Sequence, residues 1–404
     1  MKDLDQIYDA TTPAGRKVSL RFPEEEFRAR QSKACASMAK AGLDALLIFS
    51  QESHFYLTGF DTGGFVFFQV GVITASGERT ILLTRTPDKL QAEVNSLYDE
   101  VRIWLNAEDV NPAVQLREIL AELGLQGHRV GVEMDGHGLT VANWRRVDQQ
   151  LSGFVTLTDG SDIIRKLRLV KSRRELEMTR IAGDLADLAT KAAFAVAKPG
   201  MFDTALSGAA IQAQLSAGAD QPSGGPLLNV GPRALYGRGI GGPRRLEAND
   251  QILIELAGSA GRYHAVIEHT AVIGKVDPRQ QSQMAVAIDA LEQIKEAARP
   301  GELLGTLDDV HRRVLDAGGF AKARYAACGY ALGCTFKPTW MDVPPMIYTG
   351  NPLVMEPSMV FFVHIMIPDT STGLVAGIGQ TFAIGADGQR VETFSKLPLK
   401  LWKL

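Results

Sequence analysis

Three ionisable side chains interrupt stretches of this sequence that are otherwise composed for burial. Glu255 stands in Ile252-Leu253-Ile254-Glu255-Leu256, and His364 stands between Val360-Phe361-Phe362-Val363 and Ile365-Met366-Ile367. Glu268 lies in His264-Ala265-Val266-Ile267-Glu268-His269-Thr270, where a period of two places His264, Val266, Glu268 and Thr270 on one face of a strand. A carboxylate buried without a partner is costly, so each such group is either satisfied by a neighbour or held at a shifted pKa for use. Carboxylates and imidazoles gathered on one surface are the components of general acid–base catalysis: one takes a proton from water, another gives a proton to a leaving group. For any one residue a structural network is an equally good reading. Three intrusions on corresponding strands favour catalysis, and Glu255, His264, Glu268 and His364 form the expected catalytic set.

Other chemistries fit less well. The same His and Glu residues are possible zinc ligands, but neither an HExxH motif nor a paired-Asp spacing accompanies them, so no metal is expected. The glycine-rich stretches 223–226 and 236–243 lack a phosphate-loop Lys-Ser or Lys-Thr and a GxGxxG context, so no nucleotide cofactor is expected. Cys334, in Gly329-Tyr330-Ala331-Leu332-Gly333-Cys334, reads as a cleft-lining residue without covalent chemistry. Phe55, Tyr56, Tyr236, Tyr263 and Trp340 fall near loops, where aromatic faces can enclose a small cationic solute. Among Arg233, Arg238, Arg244, Arg245 and Arg262, Arg262 is the favoured partner for a substrate carboxylate.

These residues need elements to hold them. The first part of the chain alternates helical and extended patterns: a helix from Pro23 to Ala41, a strand at Ala45-Leu46-Leu47-Ile48, then further strands and helices, an α/β signature. A new block opens with Ser172 and Glu175 spaced as a capping box before a long helical pattern that stops at Pro199-Gly200. The same punctuation returns at Pro300-Gly301, and each helix pair is followed by a strand block, so residues 166–404 read as two copies of one motif. Two such halves close one curved sheet around a cleft with helices outside, and polar residues inside the strands face that cleft.

A chain of 404 residues buries a full core in two or three domains. A net charge of -3 offers no basic stripe for nucleic acid. Neither an export signal nor a run of roughly 18 apolar residues is present, and the three cysteines form no disulfide framework, so a cytoplasmic, membrane-free protein is expected.

On these segments, together with Ser53-His54-Phe55-Tyr56-Leu57-Thr58-Gly59-Phe60 and the junction Leu167-Arg168-Leu169-Val170-Lys171-Ser172, the chain resembles the creatinase, prolidase and aminopeptidase P superfamily. The resemblance implies an α/β creatinase-like N-terminal domain (1–165) and an α+β pita-bread domain (166–404) with a pseudo-two-fold internal repeat. It also implies a homodimer whose neighbouring N-terminal domain contributes to each site. The metallopeptidases of this superfamily use five ligands, and by motif their places fall here on Glu255, Val266, Cys334, His364 and Gly379 or Gln380. Valine cannot ligate a cation, so the resemblance points to the metal-free branches. Glu255-Leu256-Ala257-Gly258, Arg262-Tyr263-His264-Ala265, Cys328-Gly329-Tyr330 and Lys337-Pro338-Thr339-Trp340 are similar to the ectoine hydrolases, although Glu268-His269-Thr270 and the loop 234–242 depart from them. The expected activity is metal-independent hydrolysis of a non-peptide C–N bond, of cyclic amidine or amidino type, in a small zwitterion. The alternatives are a metal-dependent Xaa-Pro dipeptidase, an enzyme like the dimethylsulfoniopropionate lyases, and a non-catalytic solute-binding protein.

Overall fold

A computed structural model describes residues 5–12, 14–386 and 388–404. The chain divides into the units Asp5–Arg168 and Leu169–Leu404, a boundary at 168/169 where the sequence reading places it at 165/166. No helix among the described residues is long and apolar enough to cross a membrane.

In the first unit a six-stranded sheet runs Glu100–Trp104, Thr80–Arg85, Val70–Thr74, Ala45–Ile48, Arg129–Val132, Thr156–Asp159. The apolar runs at 45–48 and 129–132 pair in parallel, as strands joined through intervening helices do, and their side chains pack under helices Pro112–Glu122 and Val141–Leu151. The segment 51–58 is a helix closed by Gly59 in the left-handed conformation. Its buried His54 places Nδ1 2.6 Å from the Tyr98 hydroxyl.

The second unit carries the repeat. Helices Arg173–Val196 and Asp203–Ser216 precede the hairpin Gln251–Ala260 and Tyr263–Val272; helices Pro278–Ala297 and Gly305–Ala317 precede the hairpin Val360–Asp369 and Leu374–Ala383. The capping box forms as the sequence specifies, with Ser172 N–H donating to Glu175 Oε2 at 2.7 Å and Glu175 N–H donating to Ser172 Oγ at 3.3 Å. One sheet runs Met341–Ile347, Gly329–Leu332, Val360–Asp369, Leu374–Ala383, Tyr263–Val272, Gln251–Ala260, Leu227–Val230. The second strand of each hairpin meets its counterpart at the centre, so the strand holding Glu255 and the strand holding His364 occupy equivalent places on either side. This is the pseudo-symmetric pita-bread architecture.

Alternation then separates two faces. Ile252, Ile254, Leu256, Ile267 and Ala271 pack under the first helix pair, and Phe361, Val363, Ile365, Ile367 and Ile378 under the second. The residues between them, Glu255, Glu268 and His364, point the other way. The long first helix lies so close to the sheet that a Cβ at Gly258 would collide with the Ala182 carbonyl oxygen and come within 2.6 Å of Ala186 N. Gly258→Ala is therefore expected to lower the urea midpoint of unfolding by an amount equivalent to about 1–3 kcal/mol, the usual range for overpacking a rigid site, with the m-value unchanged.

Candidate active site

Strand register assembles the site. Leu227, Glu255, Glu268, Gly379 and His364 pair in sequence across five adjacent strands, forming one level of the sheet with every side chain on the cleft face. Gly379 separates the two charged residues that flank it. A Cβ there would lie 3.0 Å from His364 Cβ and 2.7 Å from Phe362 Cζ. A second glycine, Gly377, makes room for Glu268, because a Cβ at 377 would sit 2.5 Å from Glu268 Oε1.

Glu255 accepts a hydrogen bond from the Tyr330 hydroxyl at 3.0 Å, and that oxygen in turn accepts one from Trp340 Nε1 at 2.8 Å. His364 Nδ1 lies 3.5 Å from Glu268 Oε2, an ion-pair separation rather than an aligned hydrogen bond. The His364 ring is stacked on Phe362, centroids 5.4 Å apart at 16°, which fixes the plane of the imidazole. Around Glu255 and His364 opens a cleft of about 500 Å³ whose wall includes Tyr330, Trp340, Tyr325 and Arg238.

Burial and like charge set the proton affinities. Desolvation pushes Glu255 up to about 7, Glu268 adds to the rise, and His364, Tyr330 and Arg238 oppose it. Burial alone would lower His364, but Glu268 beside it and Glu255 across the level outweigh that loss and hold its pKa above the ordinary value. Near neutrality the level thus offers a carboxylate that can take a proton and an imidazolium that can give one.

The other expected site residues fall elsewhere. His264 is four residues from Glu268 along its strand, roughly 13 Å away at the strand rise. Its Nε2 accepts from Ser223 N–H at 3.1 Å, and its Nδ1 is 3.1 Å from Thr335 Oγ1. Burial holds it down at about 4, so it is a neutral, doubly bonded core histidine and not a proton carrier for the cleft. Arg262 forms a two-residue hairpin turn with Gly261, both with positive φ (68° and 55°), and its guanidinium lies over Phe336. Tyr263 is buried and donates to Glu175 Oε1 at 2.5 Å; Cys334 is bridged to Tyr263. None of these three lines the cleft. Phe55 and Tyr56 are core side chains of the first unit, with Arg30 over the Tyr56 ring at 4.6 Å. Trp340 does line the cleft, and Tyr236 lies at a small chamber beside it. The sequence reading passed over Tyr330, whose only signal was its place beside Cys328-Gly329, and ranked Arg238 below Arg262.

The five places that hold metal in the superfamily can now be compared with the donors present. Val266 and Gly379 face the cleft and carry no donor atom. Gln380 faces the helices, where it accepts from Lys295 Nζ at 3.1 Å, and Cys334 is outside the cleft wall. Of the five places only Glu255 and His364 keep a donor on the cleft, and with Glu268 beside them they are too few anionic donors for a dinuclear centre. Among the described residues Asp308, His311 and Cys328 also lie together, but both oxygens of Asp308 are already engaged, by His311, Arg312 and Thr349.

A creatinase-type unit followed by a pita-bread unit with its cleft on the shared sheet defines the class. Residues 177–386 match metallopeptidase family M24 and residues 30–170 match the creatinase/prolidase N-terminal domain; the chain belongs to this family of hydrolases. It is 26% identical over 379 residues to the uncharacterized hydrolase/peptidase y4tM of Sinorhizobium fredii, covering 91% of this chain and 95% of that one. It is 24% identical over 366 residues to the ectoine hydrolase of Halomonas elongata, covering 87% and 90%. The X-Pro aminopeptidase of Thermotoga maritima superposes with a TM-score of 0.81 at 19% identity, covering 93% and 99%, and shares the fold.

The raised Glu255 pKa has a consequence for stability. Below about 4.5 the group is protonated whether folded or not; between there and about 7 the folded chain holds a proton that the unfolded chain releases. Stability attributable to Glu255 therefore falls as pH rises through this window, by on the order of 3 kcal/mol in all. Urea titrations at pH 5, 6, 7 and 8 are expected to show a shallower decline for Glu255→Gln than for the wild type, with the variant the more stable of the two at pH 8.

Proposed function

We propose that this protein is a metal-independent hydrolase that cuts a non-peptide C–N bond, of amidine or amidino type, in a small zwitterionic solute. The observation that carries the reading is the single sheet level on which Glu255, Glu268 and His364 meet while Val266 and Gly379 offer a metal nothing. The similarity to an ectoine hydrolase over 87% of the chain supports the substrate class. An amidinium carbon already carries the positive charge that a Lewis acid would lend, and a buried anionic Glu255 favours such a cation.

In this reading Glu255 removes a proton from water as the oxygen bonds to the electrophilic carbon, and His364, oriented by Glu268 and Phe362, protonates the departing nitrogen. Tyr330, itself held by Trp340, steadies the Glu255 carboxylate. Trp340 and Tyr325 face the cationic part of the solute, and the Arg238 side chain, on the cleft wall, pairs with its carboxylate. The reading includes a cytoplasmic homodimer in which the neighbouring N-terminal domain contributes to the site.

Turnover of ectoine, 5-hydroxyectoine, creatine and proline dipeptides, followed by mass spectrometry with and without chelator, tests this. Chelator-resistant cleavage of one of the non-peptide compounds is expected, with Glu255→Gln slowing it by about 10²- to 10⁴-fold. Dipeptide cleavage abolished by chelator would establish the alternative, a metal-dependent dipeptidase. Because the Tyr330 hydrogen bond favours the Glu255 anion, Tyr330→Phe is expected to move the acid limb of the kcat/KM profile to higher pH.

A further inference from the structure

Beside the main cleft lies a chamber of about 20 Å³, and Glu255, His364, Arg238 and Tyr325 line both. Its remaining wall comes largely from the next level of the sheet, two residues along each strand, where Asn229 pairs with Leu253 and Gly377 with Met366. The chamber has the volume of one water molecule, and a buried water needs two to four polar partners. Asn229 Oδ1 is buried without a hydrogen-bond partner among the described residues, and Glu268 Oε2 and His364 Nδ1, also on the lining residues, have only the 3.5 Å ion-pair separation between them.

Asn229 is the informative member. Its Nδ2 donates to the carbonyl oxygens of Tyr236 at 3.1 Å and Arg238 at 3.0 Å, which commits both amide hydrogens to the loop and leaves Oδ1 as a pure acceptor. The residue is 4% exposed, so bulk solvent does not satisfy that oxygen.

We propose that this chamber seats the hydrolytic water and that Asn229 is its positioning residue. The inference rests on the hydrolase reading above, without depending on which C–N bond is cut. The water gives one hydrogen to Asn229 Oδ1 and the other to Glu255, leaving an oxygen lone pair directed at the carbon held in the cleft. Glu255 takes the second proton as the C–O bond forms; the C–N bond then breaks with its electron pair on the nitrogen, which receives a proton from His364, and the hydrogen left on the new oxygen passes to the freed amine as the carbonyl forms. One proton passing from Glu255 to His364 restores the starting state, and no oxidant, reductant or further reactant is required.

Crystals of the full-length wild type, Asn229→Leu and Asn229→Asp, together with kcat and KM on whichever compound of the panel is cleaved, test the assignment. Expected are a water within hydrogen-bond reach of Asn229 Oδ1 and a carboxylate in the wild type, its loss in Asn229→Leu, and a fall in kcat on the order of 10- to 100-fold with KM little changed. Asn229→Asp, which keeps an acceptor but loses the donors to the loop, is expected to recover most of kcat. A dry wild-type chamber, or an unaltered kcat in Asn229→Leu, overturns the proposal, as does a rise in KM common to both variants with kcat intact, which would make Asn229 a loop support alone. If no compound of the panel is cleaved, the substrate reading fails, and the crystals decide by themselves: an ordered water bonded to Asn229 Oδ1 supports the assignment and a dry chamber overturns it.

Discussion

Two carboxylates and an imidazole cannot share one level of a β-sheet unless a strand among them gives up its side chain, and Gly379 does so. Neighbouring strands are about 4.8 Å apart, so His364 and Glu268, each paired with Gly379, stand two strand spacings from one another and meet only across the bare backbone between them. Gly377 repeats the device one level away, where any Cβ would press on Glu268. The cleft, the ion pair and the shifted proton affinities all depend on these two absences of side chain on the same strand.

The electrostatic balance follows from that crowding. Burial is what chiefly raises Glu255 to about 7, and Glu268, directly paired with it, adds like-charge repulsion in the same poorly solvated site. His364, whose proton affinity the two carboxylates raise, opposes the rise when it carries its proton, and Tyr330 opposes it by donating to Glu255. A buried group kept near its midpoint at neutral pH costs stability and gains reactivity, a trade common where function needs a strained or charged site.

The scaffold explains how such a site can change chemistry without changing fold. In the pita-bread sheet the hydrophobic work is done on the helix face, by Ile254, Ile267, Ile365 and Ile378 and their neighbours, while the cleft face only has to be lined. Ionisable donors such as Glu255 and His364 take no part in that packing, but Val266 is buried with Leu185 and Phe362 and a Cβ at Gly379 would meet Phe362 and His364, so a donor at either of those places requires local repacking. The pseudo-two-fold axis between the central strands places Glu255 and His364 in equivalent positions, one from each half, and makes an acid and a base out of a repeated element.

Much of this was legible along the chain. Period-two alternation and the intrusion of Glu255 and His364 into apolar runs identified two of the central residues, and the repeated helix–helix–hairpin punctuation with the Ser172 capping box specified the second unit, because these are local patterns of spacing. Glu268 was legible as an intrusion on the neighbouring strand, but on equal terms with His264 on the same face. What alternation does not encode is position along the strand: His264 and Glu268 share a face, yet register puts Glu268 on the level of Glu255 and His264 four residues away between Ser223 and Thr335. Tyr330 and Asn229 reach the site through strand pairings with Phe362 and Leu253, and Arg238 through the loop whose carbonyl oxygen Asn229 holds, none of which is a local pattern of spacing. Local sequence determined which side chains face the cleft; only the registers of strands from both halves decided which of them meet.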